Sequence, residues 1–323
     1  MEKIKWGLLG TAKIARQCTI PGMLQAENCE LTAVAGRSLE KAQAFQREYG
    51  FRKAYGSYEE LLADPEIQAV YIPLPNNLHP EWSIKALQAK KHVLCEKPLA
   101  PTAAQAEAMI RAAEENGVYL MEAFAYLHSP LIRAIREEID SGAIGKLNYI
   151  ESEFSTPGHD PSNIRMHKDT CGGSFYDLGC YCTSLILWMF GQDPESVHAT
   201  AEFSDQGIDT MATGFLKFPG GGMGAFTCGM DLAPGRRIDR MAFYGTTGSI
   251  LTDAQFNQDG ALRYTLQTKE GTVEKTVKTP HNYGLEVEQL GRCVMGLETP
   301  HVSNAFSLRN SKTMDRVLKE MQY

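Results

Sequence analysis

The chain has 323 residues, of which 43% are hydrophobic and 22% charged, and a formal net charge of −7. That length exceeds what one hydrophobic core ordinarily serves and suits two domains, while the composition excludes a disordered chain. The acidic balance, with no clustered Lys/Arg run to offset it, argues against nucleic acid as a partner, because phosphate binding needs a basic surface.

The opening MEKIKWGLLG is a short charged lead into a buried strand and lacks the apolar core and cleavage site of a signal peptide. From there to about residue 123, short β-type runs alternate with amphipathic helices. Strands are expected at 4–9, 31–35, 69–72, 92–95 and 118–121, and helices at 14–24, 39–49, 58–63, 80–89 and 102–116. Repeated β-α-β with apolar strands implies a parallel sheet covered on both faces, and right-handed crossovers make it doubly wound. The pattern then changes. A helix at 131–141 and a strand at 147–154 lead into a polar loop over 156–173, followed by a strongly apolar helix at 174–190. Alternating strands joined by Gly-rich turns fill 196–277, and two helices, 283–295 and 307–321, close the chain. The expected fold class is thus α/β, an N-terminal Rossmann sheet with a C-terminal α+β domain on an open, largely antiparallel sheet. The expected domains are 1–123, 124–303 and 304–323, the last a closing helix packing back on the Rossmann domain.

The longest apolar run, 185–190, is far too short to span a bilayer, so no membrane partner is expected. Eight cysteines at 18, 29, 95, 171, 180, 182, 228 and 293 show no paired C-x-x-C spacing. They suit reduced, buried thiols in a cytoplasmic protein, and no metal site is expected; His159 and His167 around Asp160 match no common zinc spacing.

Between the first strand and helix lies Gly10-Thr11-Ala12-Lys13-Ile14-Ala15. Taken as G-x-G-x-x-G/A, it offers Gly10 for the tight turn, Ala12 for backbone approach to a pyrophosphate and Ala15 for close helix packing, with a helix N-terminus for the phosphates. Ala12 departs from the usual glycine, and a small-residue turn without ligand is the alternative. The second strand ends at Gly36-Arg37-Ser38 without the carboxylate that holds an NAD ribose. Arg37 and Ser38 suit a 2′-phosphate, which favours NADP while leaving NAD possible; Ser38 also serves as a helix cap.

Three further groups follow strand ends, where open α/β sheets bind ligands. They are Leu74-Pro75-Asn76 with His79, then Glu96-Lys97-Pro98, then Met121-Glu122-Ala123-Phe124. Pro98 keeps Lys97 out of helical geometry and makes a cis bond possible. The combination of E-K-P, an upstream P-N-x-x-H and the N-terminal turn resembles the glucose-fructose oxidoreductase/inositol dehydrogenase/MocA (Gfo/Idh/MocA) family, over nearly the whole chain. The resemblance implies NAD(P)-linked oxidation of a carbinol, a C-terminal sheet often used for oligomerisation, a catalytic Lys97, and Leu74, Pro75, Asn76, His79 and Glu96 lining the nicotinamide and ribose.

The family's second signature, D-x-x-x-H, is met by Asp177 with Tyr181 in place of histidine. Tyrosine there is similar to the branch of dimeric dihydrodiol dehydrogenase and xylose dehydrogenase, and speaks against inositol dehydrogenase. A phenol is a poor base at neutral pH, but a nearby ammonium such as Lys97 favours its ionised form, so the pair would exchange a proton while hydride moves to the nicotinamide. Asp177, on the same helix face, would orient the substrate hydroxyl or the lysine. The competing assignment is a surface carboxylate and a core aromatic. Softer substrate candidates are Glu122, Tyr126, Arg165 and Tyr283; hinge packing competes at Tyr126 and a solvated loop cation at Arg165. The function expected is an NADP(H)-dependent dehydrogenase or reductase of a sugar or other polyhydroxylated small molecule, working as a homodimer or higher oligomer. A trans-dihydrodiol dehydrogenase and a non-catalytic NADP-binding sensor are the alternatives.

Overall fold

Six short strands form one parallel sheet in the computed structural model, which describes residues 3–323. They are β1 (Ile4–Leu9), β2 (Cys29–Ala35), β3 (Lys53–Tyr55), β4 (Ala69–Ile72), β5 (His92–Glu96) and β6 (Leu120–Ala123), in the order β3-β2-β1-β4-β5-β6. This is the doubly wound order, with its reversal between β1 and β4. The crossover helices are α1 (Ile20–Gln25), α2 (Leu39–Tyr49), α3 (Tyr58–Ala63), α4 (His79–Gln88) and α5 (Ala103–Asn116). The side chains of Ser38, Ser57 and Thr102 cap α2, α3 and α5, and left-handed Gly50 and Gly117 end α2 and α5. The helix expected at 14–24 carries a π-helical stretch, Ala15–Thr19, ahead of α1. β3 escapes sequence reading because its three residues are half-buried and two are polar or amphipathic.

The chain divides into two compact units, the first ending at His128 and including Pro280–Ser307, the second comprising Ser129–Thr279 and Leu308–Tyr323. This division differs from the expected domains at two places. Helix α8 (Asn282–Val294), assigned from sequence to the substrate domain, belongs to the first unit. The reason is backbone contact: a Cβ on Gly22 of α1 would lie 2.6 Å from the Gly284 nitrogen, and Asn28 Nδ2 donates to the Glu288 carbonyl at 2.8 Å. The closing helix α9 (Asn304–Glu320) straddles the division, and from Leu308 onward it is counted with the second unit. Thr183 Oγ1 donates to Asn310 Oδ1 at 2.9 Å, Arg316 to the Pro194 carbonyl at 2.7 Å, and the Tyr323 hydroxyl to the Gly172 carbonyl at 2.6 Å.

The second unit is built on an eight-stranded sheet. Its strands are β7 (Leu147–Pro157), β8 (Ser196–Phe203), β9 (Asp209–Phe218), β10 (Gly222–Leu232), β11 (Ile238–Gly245), β12 (Gly248–Thr252), β13 (Gly260–Thr268) and β14 (Gly271–Thr279). Their order is β14-β13-β12-β11-β7-β10-β9-β8; β7 and β10 are parallel and every other neighbouring pair is antiparallel. One face receives α6 (Pro130–Asp140) and α7 (Cys180–Phe190). Gly222 and Gly224 of β10 make room for α7, since a Cβ at either would strike Phe190 or Ile186 at 2.3 Å. On the other face Met211, Phe215, Met223 and Leu251 stay 38–40% exposed. No helix among the described residues is long and apolar enough to cross a membrane.

Candidate active site

In the first unit, strand register brings the sequence-selected groups to one sheet edge. Leu9 pairs with Ala35, Leu8 with Tyr71, Ile72 with Cys95 and Glu96 with Ala123, so the residues after β1, β2, β4 and β5 leave the same carboxyl-terminal edge. Gly10 has φ +103°, and its N–H donates to the Ala35 carbonyl at 2.8 Å, closing the turn after β1. A Cβ there would come within 3.0 Å of Leu74 Cδ2. Thr11, Ala12 and Ile14 are half-buried and Lys13 exposed; the first helical bond runs from the Arg16 N–H to the Ala12 carbonyl, so the preceding amides open the helix as anion donors. Arg37 is exposed beyond β2, beside Tyr58, and the Ser38 Oγ accepts from Lys41 N at 3.4 Å while keeping its own proton to donate. These residues fit a dinucleotide: the tight turn, the helix start and a cation at the end of β2 stand where its pyrophosphate and adenosine ribose would lie.

Lys97 is half-buried at the end of β5, its peptide to Pro98 is cis, and its N–H donates to Glu96 Oε2 at 3.3 Å. Glu96 itself is buried, and its Oε1 accepts a 2.5 Å bond from the Tyr71 hydroxyl, which accepts in turn from Thr19 Oγ1 at 2.8 Å. Burial first, then the Glu96 charge, pushes the Tyr71 phenol well up, so it stays protonated and donates. This chain fixes the carboxylate beside Lys97. Sequence reading missed Tyr71 and Thr19, since nothing in either segment distinguishes a buried polar pair from core.

The remaining first-unit candidates turn inward. His79 is fully buried, its ring nitrogens 2.9 and 2.8 Å from the Pro98 and Leu74 carbonyls, so it ties two edge loops together and presents no ring nitrogen to a ligand. Two carbonyls favour the charged ring, but burial and the Lys97 cation dominate and push its pKa down to about 4. Glu122 is 2% exposed and its Oε1 accepts the Leu99 N–H at 2.7 Å, so it braces the backbone just past the Lys97-Pro98 turn. Tyr126 is 1% exposed and meets Phe124 edge-on at 6.0 Å, which makes it core. Tyr283 is buried on α8 beside the Cys18 thiol. Leu74 is buried, Pro75 and Asn76 half-buried.

In the second unit a π-helical stretch, Phe175–Gly179, runs into α7 and carries Asp177 one turn before Tyr181. Such stretches recur at functional sites. The start of this one is fixed by buried Asp209, whose Oδ2 accepts from Ser174 Oγ at 2.5 Å and Phe175 N at 2.7 Å. Asp177 Oδ2 holds Arg165 Nε at 2.6 Å, so the loop arginine is tied to the signature carboxylate. Tyr181 is 6% exposed, packed against Phe154 at 5.3 Å and Phe256 at 5.4 Å between ring centres, and its oxygen accepts from Asn257 Nδ2 at 3.1 Å. Asn257 and Phe256 were invisible from sequence, where the segment reads as a hairpin turn. Lys97 and Tyr181 thus belong to different units.

Fold and site together define a two-domain oxidoreductase of the dinucleotide-binding class. The model for the oxidoreductase family with NAD-binding Rossmann fold matches residues 4–124, and that for the GFO/IDH/MocA C-terminal domain matches residues 132–251. D-xylose 1-dehydrogenase (NADP(+)) 2 of Haloferax volcanii is 36% identical, the alignment covering 98% of this chain and 97% of that protein. Trans-1,2-dihydrobenzene-1,2-diol dehydrogenase of Xenopus laevis is 32% identical over 98% of both. The crystal structure of KijD10, a 3-ketoreductase from Actinomadura kijaniata in complex with NADP and TDP-benzene, superposes with a TM-score of 0.93 at 28% identity, covering 99% of this chain and 98% of that one. The chain belongs to the glucose-fructose oxidoreductase/inositol dehydrogenase/MocA family.

Proposed function

We propose that the protein is an NADP(H)-dependent dehydrogenase or reductase that interconverts carbinol and carbonyl on a sugar or other polyhydroxylated small molecule, aldose oxidation at C1 being the first activity to try. The observation that carries this reading is the Lys97 turn at the ligand edge of a family-matched Rossmann sheet, braced on Glu96, Tyr71 and Thr19. When bound, the nicotinamide supplies a hydride acceptor or donor. Tyr181 takes the hydroxyl proton, or returns it in reduction, with the Lys97 ammonium favouring the charged oxygen. Asp177, oriented by Arg165, receives a substrate hydroxyl. The Haloferax xylose dehydrogenase supports the aldose assignment and the Xenopus enzyme a trans-diol as the second choice. KijD10 was also solved with a lysine replaced by alanine and with a tyrosine replaced by phenylalanine, which accords with interest in those two residue types.

NADP is preferred because β2 ends without a carboxylate and with exposed Arg37. Fluorescence titration is expected to show NADPH binding more tightly than NADH, and Arg37→Asp to reduce NADPH affinity at least tenfold, as loss of a charge-assisted bond and gain of repulsion require. Equal binding of both nucleotides would reject the 2′-phosphate assignment. Absorbance at the nicotinamide band over D-xylose, D-glucose and trans-1,2-dihydrobenzene-1,2-diol then tests catalysis, and cofactor binding with no turnover on any of them would favour a sensor. The half-apolar open face of the eight-stranded sheet, with Phe215 and Met223 exposed, further supports a homodimer; light scattering is expected to return twice the chain mass.

A further inference from the structure

Asn257 lies in the turn between β12 and β13, outside every motif that relates the chain to its family. Its φ is +61°, a left-handed conformation that asparagine tolerates better than most side chains. The turn is anchored from β11: the Asp239 side chain is 2% exposed, pairs with Arg237 Nε at 2.5 Å, and accepts the Phe256 N–H at 2.9 Å, while Arg237 donates to the Phe256 carbonyl at 3.2 Å. Phe256 stacks on Phe154 with ring centres 5.2 Å apart and planes 13° from parallel, and both rings flank Tyr181. The anchored turn therefore delivers the Asn257 amide to the phenolic oxygen with little freedom. A phenol that accepts an amide N–H keeps its own proton for another oxygen, and the same donor stabilises the oxygen once that proton has gone. In this unit Arg165 pairs with Asp177 and Arg237 with Asp239, Arg237 also lying 4.6 Å above the Phe154 ring that flanks Tyr181. Asn257 adds a neutral donor aimed at the reacting atom itself.

We propose that Asn257 is a positioning residue of the reaction, whose side-chain amide directs the Tyr181 proton outward and favours the deprotonated oxygen. This rests on the assignment of Tyr181 to proton transfer. The test measures kcat and KM with NADP+ against D-xylose and trans-1,2-dihydrobenzene-1,2-diol from pH 6 to 10, for wild type, Asn257→Asp, Asn257→Ala and Tyr181→Phe. Aspartate is near-isosteric and equally suited to the left-handed turn, so Asn257→Asp keeps the loop and replaces the donor by a negative charge. Its expected result is a kcat lowered about tenfold with KM within twofold, and a rise of kcat with pH displaced upward by about one pH unit. Asn257→Ala changes both in the same direction and less. A wild-type profile for Asn257→Asp, or a lost rate without the displacement, overturns the proposal while leaving the role of Tyr181 standing. Wild-type turnover by Tyr181→Phe, or no turnover by the wild-type protein on either substrate, removes the assignment of Tyr181 and the proposal with it.

Discussion

Lys97→Ala is expected to lower kcat by about three orders of magnitude while leaving the Kd for NADPH within about fivefold, because general acid–base groups contribute roughly 10²–10⁴ to rate and little to dinucleotide binding. Lys97 follows the last residue of β5, so its side chain departs from a rigid strand end and not from a free loop. Glu96 beside it is held by Tyr71, and the backbone beyond it is tied by the Pro98 carbonyl to His79 and by the Leu99 N–H to Glu122. Truncation at Cβ leaves all three ties intact, and wild-type melting behaviour is expected of the variant. Lys97→Arg separates two roles. Arginine keeps the charge that favours an ionised phenol but cannot give up a proton at accessible pH. Recovery of turnover by Lys97→Arg assigns an electrostatic role, and failure assigns a proton-transferring one. Turnover of Lys97→Ala within tenfold of wild type would remove lysine from the mechanism altogether. Single-turnover measurements with bound NADP+ check the expectation independently of product release.

The ligand edge of the first sheet was legible because it depends on local patterns: period, turn residues and the lysine–proline pair all sit within a few positions of a strand end. What was illegible depends on partners far along the chain. Tyr181 and Asn257 are 76 residues apart, and the chain's own pattern at 256–260 speaks only of a turn. Helix α8 shows an apolar face but not whose core it completes; Gly22 and Gly284, which decide that, carry no periodic signal. The two π-helical stretches were equally hidden, since burial of one face selects similar spacing in α- and π-geometry. Glu122 and Tyr126 show the limit of a local pattern for a related reason. Position after a parallel strand suggests a ligand edge, yet all four residues of β6 are buried and the chain continues inward.

Glu122 gives the sharpest pH-dependent expectation. Burial pushes its pKa up from the usual 4.5 to about 7, against the neighbouring Ser307 hydroxyl, the bond from the Leu99 N–H and the charge of Lys97, with the Glu96 carboxylate adding to the rise. Among the described residues its Oε2 has no hydrogen-bond partner. A carboxyl whose folded pKa is raised binds more protons folded than unfolded between the two values, so stability falls as pH rises through that window. The cost is absent below pH 4.5, grows up to pH 7 and is then constant at roughly 3 kcal/mol, from 1.36 kcal/mol for each pKa unit. Glu122→Gln keeps the acceptor for Leu99 and removes the charge. Its stability relative to wild type is therefore expected to improve by roughly 2–3 kcal/mol between pH 5 and pH 8, read from chemical-denaturation midpoints at constant ionic strength. A Glu122→Gln variant less stable than wild type by the same amount at both pH values would mean that the carboxylate is charged in the folded protein and paired with Lys97.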